Sequence, residues 1–125
     1  PLEIAWRRAG AVGAAMLSAQ AEFAARLHDR GVSHTDFSER HILVGRAGGG
    51  YTFRLMDVER ARLGRVDEAR NAADLVTLAA SVTGEALREA LRGAFVEVYL
   101  KARGTLRDAA GFRRYLETAR PTKEF

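Results

Sequence analysis

The apolar residues change their spacing at Gly31 and again near Asp67, and those two changes restrict the chain to a mixed architecture of helices around a small β element. Before Gly31, Val12, Met16, Ala19, Phe23 and Leu27 recur at steps of three and four, while Gln20, Glu22, Arg26 and Arg30 fall elsewhere. That spacing predicts one long helix, and Gly31 stands where a helix takes a C′ glycine. After it come short β-branched or apolar pieces at Val32-Ser33-His34, Ile42-Leu43-Val44 and Tyr51 through Met56. The run Gly45 to Gly50 lies between the last two and reads as a flexible hairpin connection.

From Asp67 onward the helical period returns. Leu75, Leu78, Ala79 and Val82 form one stripe, and Leu87, Leu91, Phe95 and Val98 form another that Thr83 would cap. Thr105 with Asp108 three residues on resembles a capping box opening a last helix through Phe112, Tyr115 and Leu116, which Pro121 ends. The expected fold class is α+β and mainly helical: a long helix, a small β-hairpin element and three following helices. No internal repeat or linker divides residues 1–125, so a single domain is expected, and 47% apolar residues suffice for a core. No run of eighteen apolar residues is present, and no cysteine, which excludes a membrane-spanning segment, a disulfide framework and thiolate chemistry. Lys and Arg together number 20 against 16 Asp and Glu, and all but Lys101 and Lys123 are Arg. Arg makes planar bidentate contacts with phosphate and carboxylate, so an anionic partner is compatible with this balance, as is a merely solvated helix surface.

The unusual polar residues gather in and around the β element. His34-Thr35-Asp36-Phe37-Ser38-Glu39-Arg40-His41 leaves one strand and enters the next, and Asp57 ends the third. Strands aim carboxylates rigidly while leaving them open to water and substrate, which suits metal and phosphate chemistry. Asp36 and Asp57 converging from adjacent strands could hold one hard cation and orient a hydroxyl. His34, Asp36 and His41 could instead bind zinc, but only one residue separates the first two, which suits a shared zinc site poorly. Gly45 to Gly50 is not a phosphate loop, because it lacks the following Lys and helix.

A His-x-Asp, a ligand position five residues later, a hairpin and a strand ending in Asp resemble the catalytic half of the protein-kinase fold. Thr35 replaces the Arg of the protein-kinase motif, His41 its Asn, and Asp57-Val58-Glu59 its glycine-containing triplet. With those departures the chain resembles the bacterial lipopolysaccharide kinase family, which includes kinases of Kdo and core heptose and the InaA-like proteins. Leu27-His28-Asp29-Arg30-Gly31-Val32, His34 to Leu43, Asp57 with Arg60 and Arg62, and Arg70 through Asp74-Leu75 carry the likeness, over roughly residues 20–82.

The resemblance implies a protein-kinase-like C-terminal lobe and a phosphotransferase using ATP and Mg²⁺. Asp36 would be the catalytic residue at the acceptor hydroxyl; Asp57 and His41 would bind Mg²⁺ and the nucleotide phosphates. His34 and Asp74 would support the catalytic loop, Asp74 by accepting its backbone N–H groups. The implied substrate is a sugar hydroxyl of the lipopolysaccharide inner core, an anionic glycolipid met in the cytoplasm, at the inner face of the inner membrane. Kinase folds carry a Lys in a small lobe before the long helix. Both Lys here come after residue 100, so the chain is expected to be a C-lobe of a longer protein, inactive by itself. An inactive pseudokinase-like binding module is the alternative; scattered Arg without a binding motif argues against nucleic acid. Loss of the small lobe would expose Phe37, Ile42 and Phe53 and favour self-association. Asp29 is expected to be exposed near its helix end.

Overall fold

The computed structural model describes residues 13–34, 37–38, 42–56, 61–65, 67–82 and 84–122. Helix α1 spans Gly13–Asp29 and is followed by strand β1, Val32–His34. Strands β2 (Ile42–Ala47) and β3 (Gly50–Leu55) form a hairpin, and β4 (Ala61–Leu63) follows. Helices α2 (Glu68–Ser81), α3 (Glu85–Arg92), α4 (Ala94–Ala102) and α5 (Ala109–Thr118) complete the order. The fold is α+β and mainly helical, as the spacing predicts.

Helix α1 ends as its sequence dictates. Gly31 adopts φ +76°, the left-handed conformation that a C′ glycine supplies, and its N–H donates to the His28 carbonyl at 3.0 Å. The position also needs glycine for space, since a Cβ there would sit 1.9 Å from the Gly64 carbonyl oxygen. The same approach starts a pairing that no sequence pattern announced. Gly64 N–H donates to Gly31 O at 3.1 Å, and β1 runs antiparallel to β4 with Val32 opposite Leu63 and His34 opposite Ala61.

The hairpin is tighter than the glycine run suggests. β2 continues to Ala47, β3 begins at Gly50, and only Gly48 and Gly49 turn, with φ of +58° and +81°. Two successive positive φ values match the right-handed twist of the flanking strands, which is why glycines serve there. Phe53 of β3 packs on Phe23 of α1 with ring centroids 5.5 Å apart, seating the hairpin on the helix.

Among the described residues four helices follow the β element, one more than expected. The stripe from Leu87 to Val98 is interrupted at Gly93 (ψ −91°), which closes α3 by donating to Glu89 O at 2.9 Å and opens α4. Glycine's low helix propensity makes it the residue where the chain can turn while both halves keep their apolar faces inward. Asp67 caps α2 by accepting from Arg70 N at 3.2 Å. Helix α3 has Gly84 as its N-cap with no side-chain cap, while Val12 and Thr83 lie outside the described residues. Asp108 alone caps α5, accepting from Ala110 N and Gly111 N at 3.1 Å; Thr105 is engaged elsewhere.

Helix α1 packs along α4, and α2 packs against α3 and α5. The buried stripe of α1 is Met16, Leu17, Ala21, Ala24 and Ala25, whose small alanines allow close approach. Leu75, Leu78, Leu87, Leu91, Phe95, Tyr99 and Phe112 meet it from the other helices. Gln20, expected off the apolar stripe, is also fully buried.

Candidate functional site

Helix α1, strand β1 and helices α2 and α4 meet at a cluster of polar side chains sealed from solvent. His28 lies one residue before the end of α1, on its buried stripe, and is 1% exposed. Its Nε2 is 2.9 Å from Asp74 Oδ2, at the middle of α2, and its Nδ1 is 2.5 Å from the Tyr99 hydroxyl of α4. The Tyr99 ring stands edge-on to the imidazole, and Phe37 closes another side with centroids 5.9 Å apart.

Asp74 Oδ2 also accepts the backbone N–H of His34 at 3.3 Å. A carboxylate can take both bonds because each partner donates. His34, itself 1% exposed, lies 3.0 Å through Nε2 from the Met56 carbonyl. A carbonyl only accepts, so this bond places the proton of His34 on Nε2. Two bonds therefore join the end of β1 to α2 and to the end of β3. In sequence, Asp36 comes two residues after His34, and Asp57 directly after Met56.

A second group of bonds closes the cluster from behind. The guanidinium of Arg103, just past α4, donates from Nε to Asp29 Oδ1 at 2.6 Å. Its Nη1 reaches the Tyr99 hydroxyl at 2.7 Å and Asn71 Oδ1 at 3.1 Å, and Nη2 reaches Thr105 Oγ1 at 3.2 Å. Asp29 additionally accepts from Gly104 N at 2.7 Å and from Thr105 N and Oγ1 at 3.1 and 2.7 Å. Asp29 is thus a staple between the end of α1 and the turn after α4, not an exposed helix-end charge. The expectation failed because the partners are supplied from 74 to 76 residues away.

The titration behaviour follows from burial and these bonds. Burial pushes His28 below its ordinary value, against the hydrogen bond and charge of Asp74. Burial raises Asp74, opposed by the donors from His28 and His34. It also raises the Tyr99 hydroxyl, which Arg103 only partly offsets. For Asp29, partial burial works upward, but the donors from Gly104, Thr105 and Arg103 outweigh it and hold the carboxyl below the usual range.

Of the sequence-predicted site residues, His34 and Asp74 are brought together, while Asp36, His41 and Asp57 lie outside the described residues. Among the described residues no group of three His, Asp or Glu side chains could hold a metal ion, and no helix is long and apolar enough to cross a membrane. Phe37 and Ile42, expected to be exposed, are 1% and 0% exposed, and Phe53 is half-buried against Phe23. The packing of the described residues themselves covers them. Tyr99, Arg103 and Asn71 were not singled out; the one local signal is the i, i+4 spacing that sets Tyr99 and Arg103 on one face.

The model of the lipopolysaccharide kinase (Kdo/WaaP) family matches residues 4–99. The matched span takes in His28, His34, Asp36, His41, Asp57, Asp74 and Tyr99 and stops short of Arg103. No curated protein matches the chain.

Proposed function

The chain belongs to the lipopolysaccharide kinase (Kdo/WaaP) family, and on that premise we propose that it forms the catalytic-loop lobe of an ATP-dependent phosphotransferase. The acceptor in this reading is a sugar hydroxyl of the lipopolysaccharide inner core. The bond between P-γ and the β,γ-bridging oxygen breaks, a bond from P-γ to the sugar oxygen forms, ADP leaves, and Asp36 takes the hydroxyl proton. Asp57 would offer the hard carboxylate oxygen that Mg²⁺ selects, and His41 would serve as a second ligand. When bound, the cation neutralises charge on the nucleotide phosphates.

The observation that carries this reading is the pair of bonds at His34. Phosphoryl transfer asks the protein for positioning and electrostatics more than for covalent work. Asp74 Oδ2 holds the His34 amide, and His34 Nε2 holds the Met56 carbonyl, so the chain positions leading to Asp36 and Asp57 are fixed to one buried frame. Such a frame is the kind of support that two cooperating carboxylates require.

The test uses the protein at its full gene-encoded length, with MgATP calorimetry beside a phosphate-transfer assay on inner-core lipopolysaccharide. Asp36→Asn is expected to bind MgATP near the wild-type level while turnover falls by about two orders of magnitude or more. Asp57→Asn is expected to weaken Mg²⁺-dependent nucleotide binding itself. Full turnover in Asp36→Asn would remove the kinase assignment of this loop. MgATP binding without transfer by the wild-type protein would favour a pseudokinase-like binding module.

A further inference from the structure

Arg103 has only donors, and its Nη1 points at the Tyr99 hydroxyl. That bond occupies a lone pair of the hydroxyl oxygen, so the single Tyr99 proton is free to go to the other neighbour, Nδ1 of His28. Nδ1 must then be an unprotonated acceptor, and the His28 proton sits on Nε2, where it is donated to Asp74 Oδ2. Oδ2 in turn accepts the His34 amide. Donation therefore runs in one direction from Arg103 through Tyr99 and His28 to Asp74, where it meets the amide donated by the strand before Asp36. An imidazolium at His28 would break this order, because its Nδ1–H and Arg103 would both donate to Tyr99 and leave the hydroxyl proton without a partner.

We propose that Arg103 is a positioning residue that acts through Tyr99 to hold His28 as the neutral Nε2–H tautomer, and so leaves the Asp74 carboxylate shared between His28 and the His34 amide instead of drawn into an ion pair with an imidazolium. The charged or titratable groups around His28 are Asp74 from α2, Tyr99 from α4, Arg103 after it, Asp29 beside it in the chain, and His34 of β1 behind Asp74. Arg103 makes bonds to Tyr99, Asp29, Asn71 and Thr105 with no part of its side chain exposed, so its direction of donation cannot drift. It also lies beyond the family match, at the end of a helix with no other part in the catalytic loop. Only the last step, from His34 to turnover, rests on the kinase reading.

The experiment is ¹⁵N NMR of histidine-labelled protein between about pH 5.5 and 7.5, the range in which an ordinary imidazole titrates. In the wild type His28 is expected to stay neutral with the proton on Nε2, and Nδ1 to show the shift of a nitrogen accepting a hydrogen bond. Arg103→Met frees Tyr99 to accept, so His28 gains a proton within this range, and adding Tyr99→Phe removes that acceptor and returns His28 to the neutral form. Tyr99→Phe alone moves the Nδ1 shift to that of a bare lone pair, an outcome that does not depend on Arg103→Met folding. A proton on Nδ1 in the wild type, an unchanged Nδ1 shift in Tyr99→Phe, or an untitrating His28 in a folded Arg103→Met would each overturn the relay. In the transfer assay, the imidazolium of Arg103→Met would draw the Asp74 oxygen toward His28 and away from the His34 amide, so kcat is expected to fall about ten- to a hundred-fold at pH 6, with the KM for ATP near wild type and recovery toward pH 8. A kcat that ignores pH while His28 titrates would overturn the positioning role. A wild type that transfers no phosphate would end the kinase reading and the positioning role with it, while the spectra still decide the relay.

Discussion

Arg103 Nε lies 2.6 Å from Asp29 Oδ1, across 74 residues of chain, with the Arg103 side chain wholly buried and Asp29 about one-fifth exposed. Because Asp29 also receives Gly104 N and both donors of Thr105, it joins α1 to the turn after α4 through four bonds. Asp29→Ala leaves a buried guanidinium without its counter-charge and is expected to cost roughly 3 kcal/mol. Asp74→Ala, which unpairs His28 and the His34 amide, should fall in the same range. Urea unfolding of both variants beside Glu89→Ala, a change at an exposed residue, measures this. An Asp29→Ala midpoint as close to wild type as that control would show the staple to be idle.

Stability should fall as the solution is acidified below neutrality, and His28 is the reason. Burial holds its folded value below the ordinary 6.5, so the unfolded chain takes up a proton that the folded form refuses. The stability this contributes is fully present above about pH 6.5 and is lost as pH falls toward the folded value, by at most ~1.4 kcal/mol per pH unit. Asp29, held low, acts in the same sense further down, its contribution present above 3.8 and lost below. Asp74, raised by burial, opposes both. His28→Gln can still donate to Asp74 but does not titrate, so the wild-type stability curve should be steeper than its curve between about pH 5 and 7. Parallel curves would mean that His28 is not held neutral.

Much of this arrangement was legible in the chain, and the illegible part has a common cause. Features written within a few neighbouring residues could be read: the Gly31 terminus, the glycine turn and the return of the helical period from Asp67. Asp29 looked like any helix-end charge because Arg103 is one cation among 20 and carries no mark of burial. β4 escaped because three residues are too few for a period, and its pairing depends on Gly64 meeting Gly31. Gln20 reads as polar surface by type, yet α4, β1 and β3 pack on α1 and leave it little face to expose. Tertiary partners, not local pattern, decided each of these.

Two glycines with positive φ should respond in opposite ways. At Gly31 an added Cβ meets the Gly64 carbonyl at 1.9 Å on backbone that cannot yield without parting β1 from β4. Gly31→Ala is expected to cost at least about 3 kcal/mol, combining left-handed strain with the clash. At Gly48, φ is +58° and a Cβ would meet nothing within 4 Å. Asn tolerates that conformation and loses less entropy on folding, so Gly48→Asn should be neutral or stabilising by up to ~0.5–1 kcal/mol. Thermal melts of the two variants measure the contrast, and a similar fall in both would contradict the close approach at Gly31.

Gln20 carries the one exception to hydrogen-bond pairing among the described buried side chains. It is 0% exposed, and neither Oε1 nor Nε2 finds a partner there. An unpaired buried amide keeps the cost of losing water without the return of a bond, on the order of 1–3 kcal/mol. Met has nearly the same length, is unbranched, and adapts to the space an amide leaves. Gln20→Met should therefore stabilise the protein by about 1–2 kcal/mol and raise the melting temperature by roughly 4–8 °C for a chain of this size. Phosphate transfer should stay at the wild-type level, since Gln20 bonds to none of His28, His34 or Asp74. A melting temperature below wild type would mean that the amide is paired in solution, and Gln20→Glu would then serve to find its partner: a donor nearby would accept the carboxylate, and an acceptor would reject it.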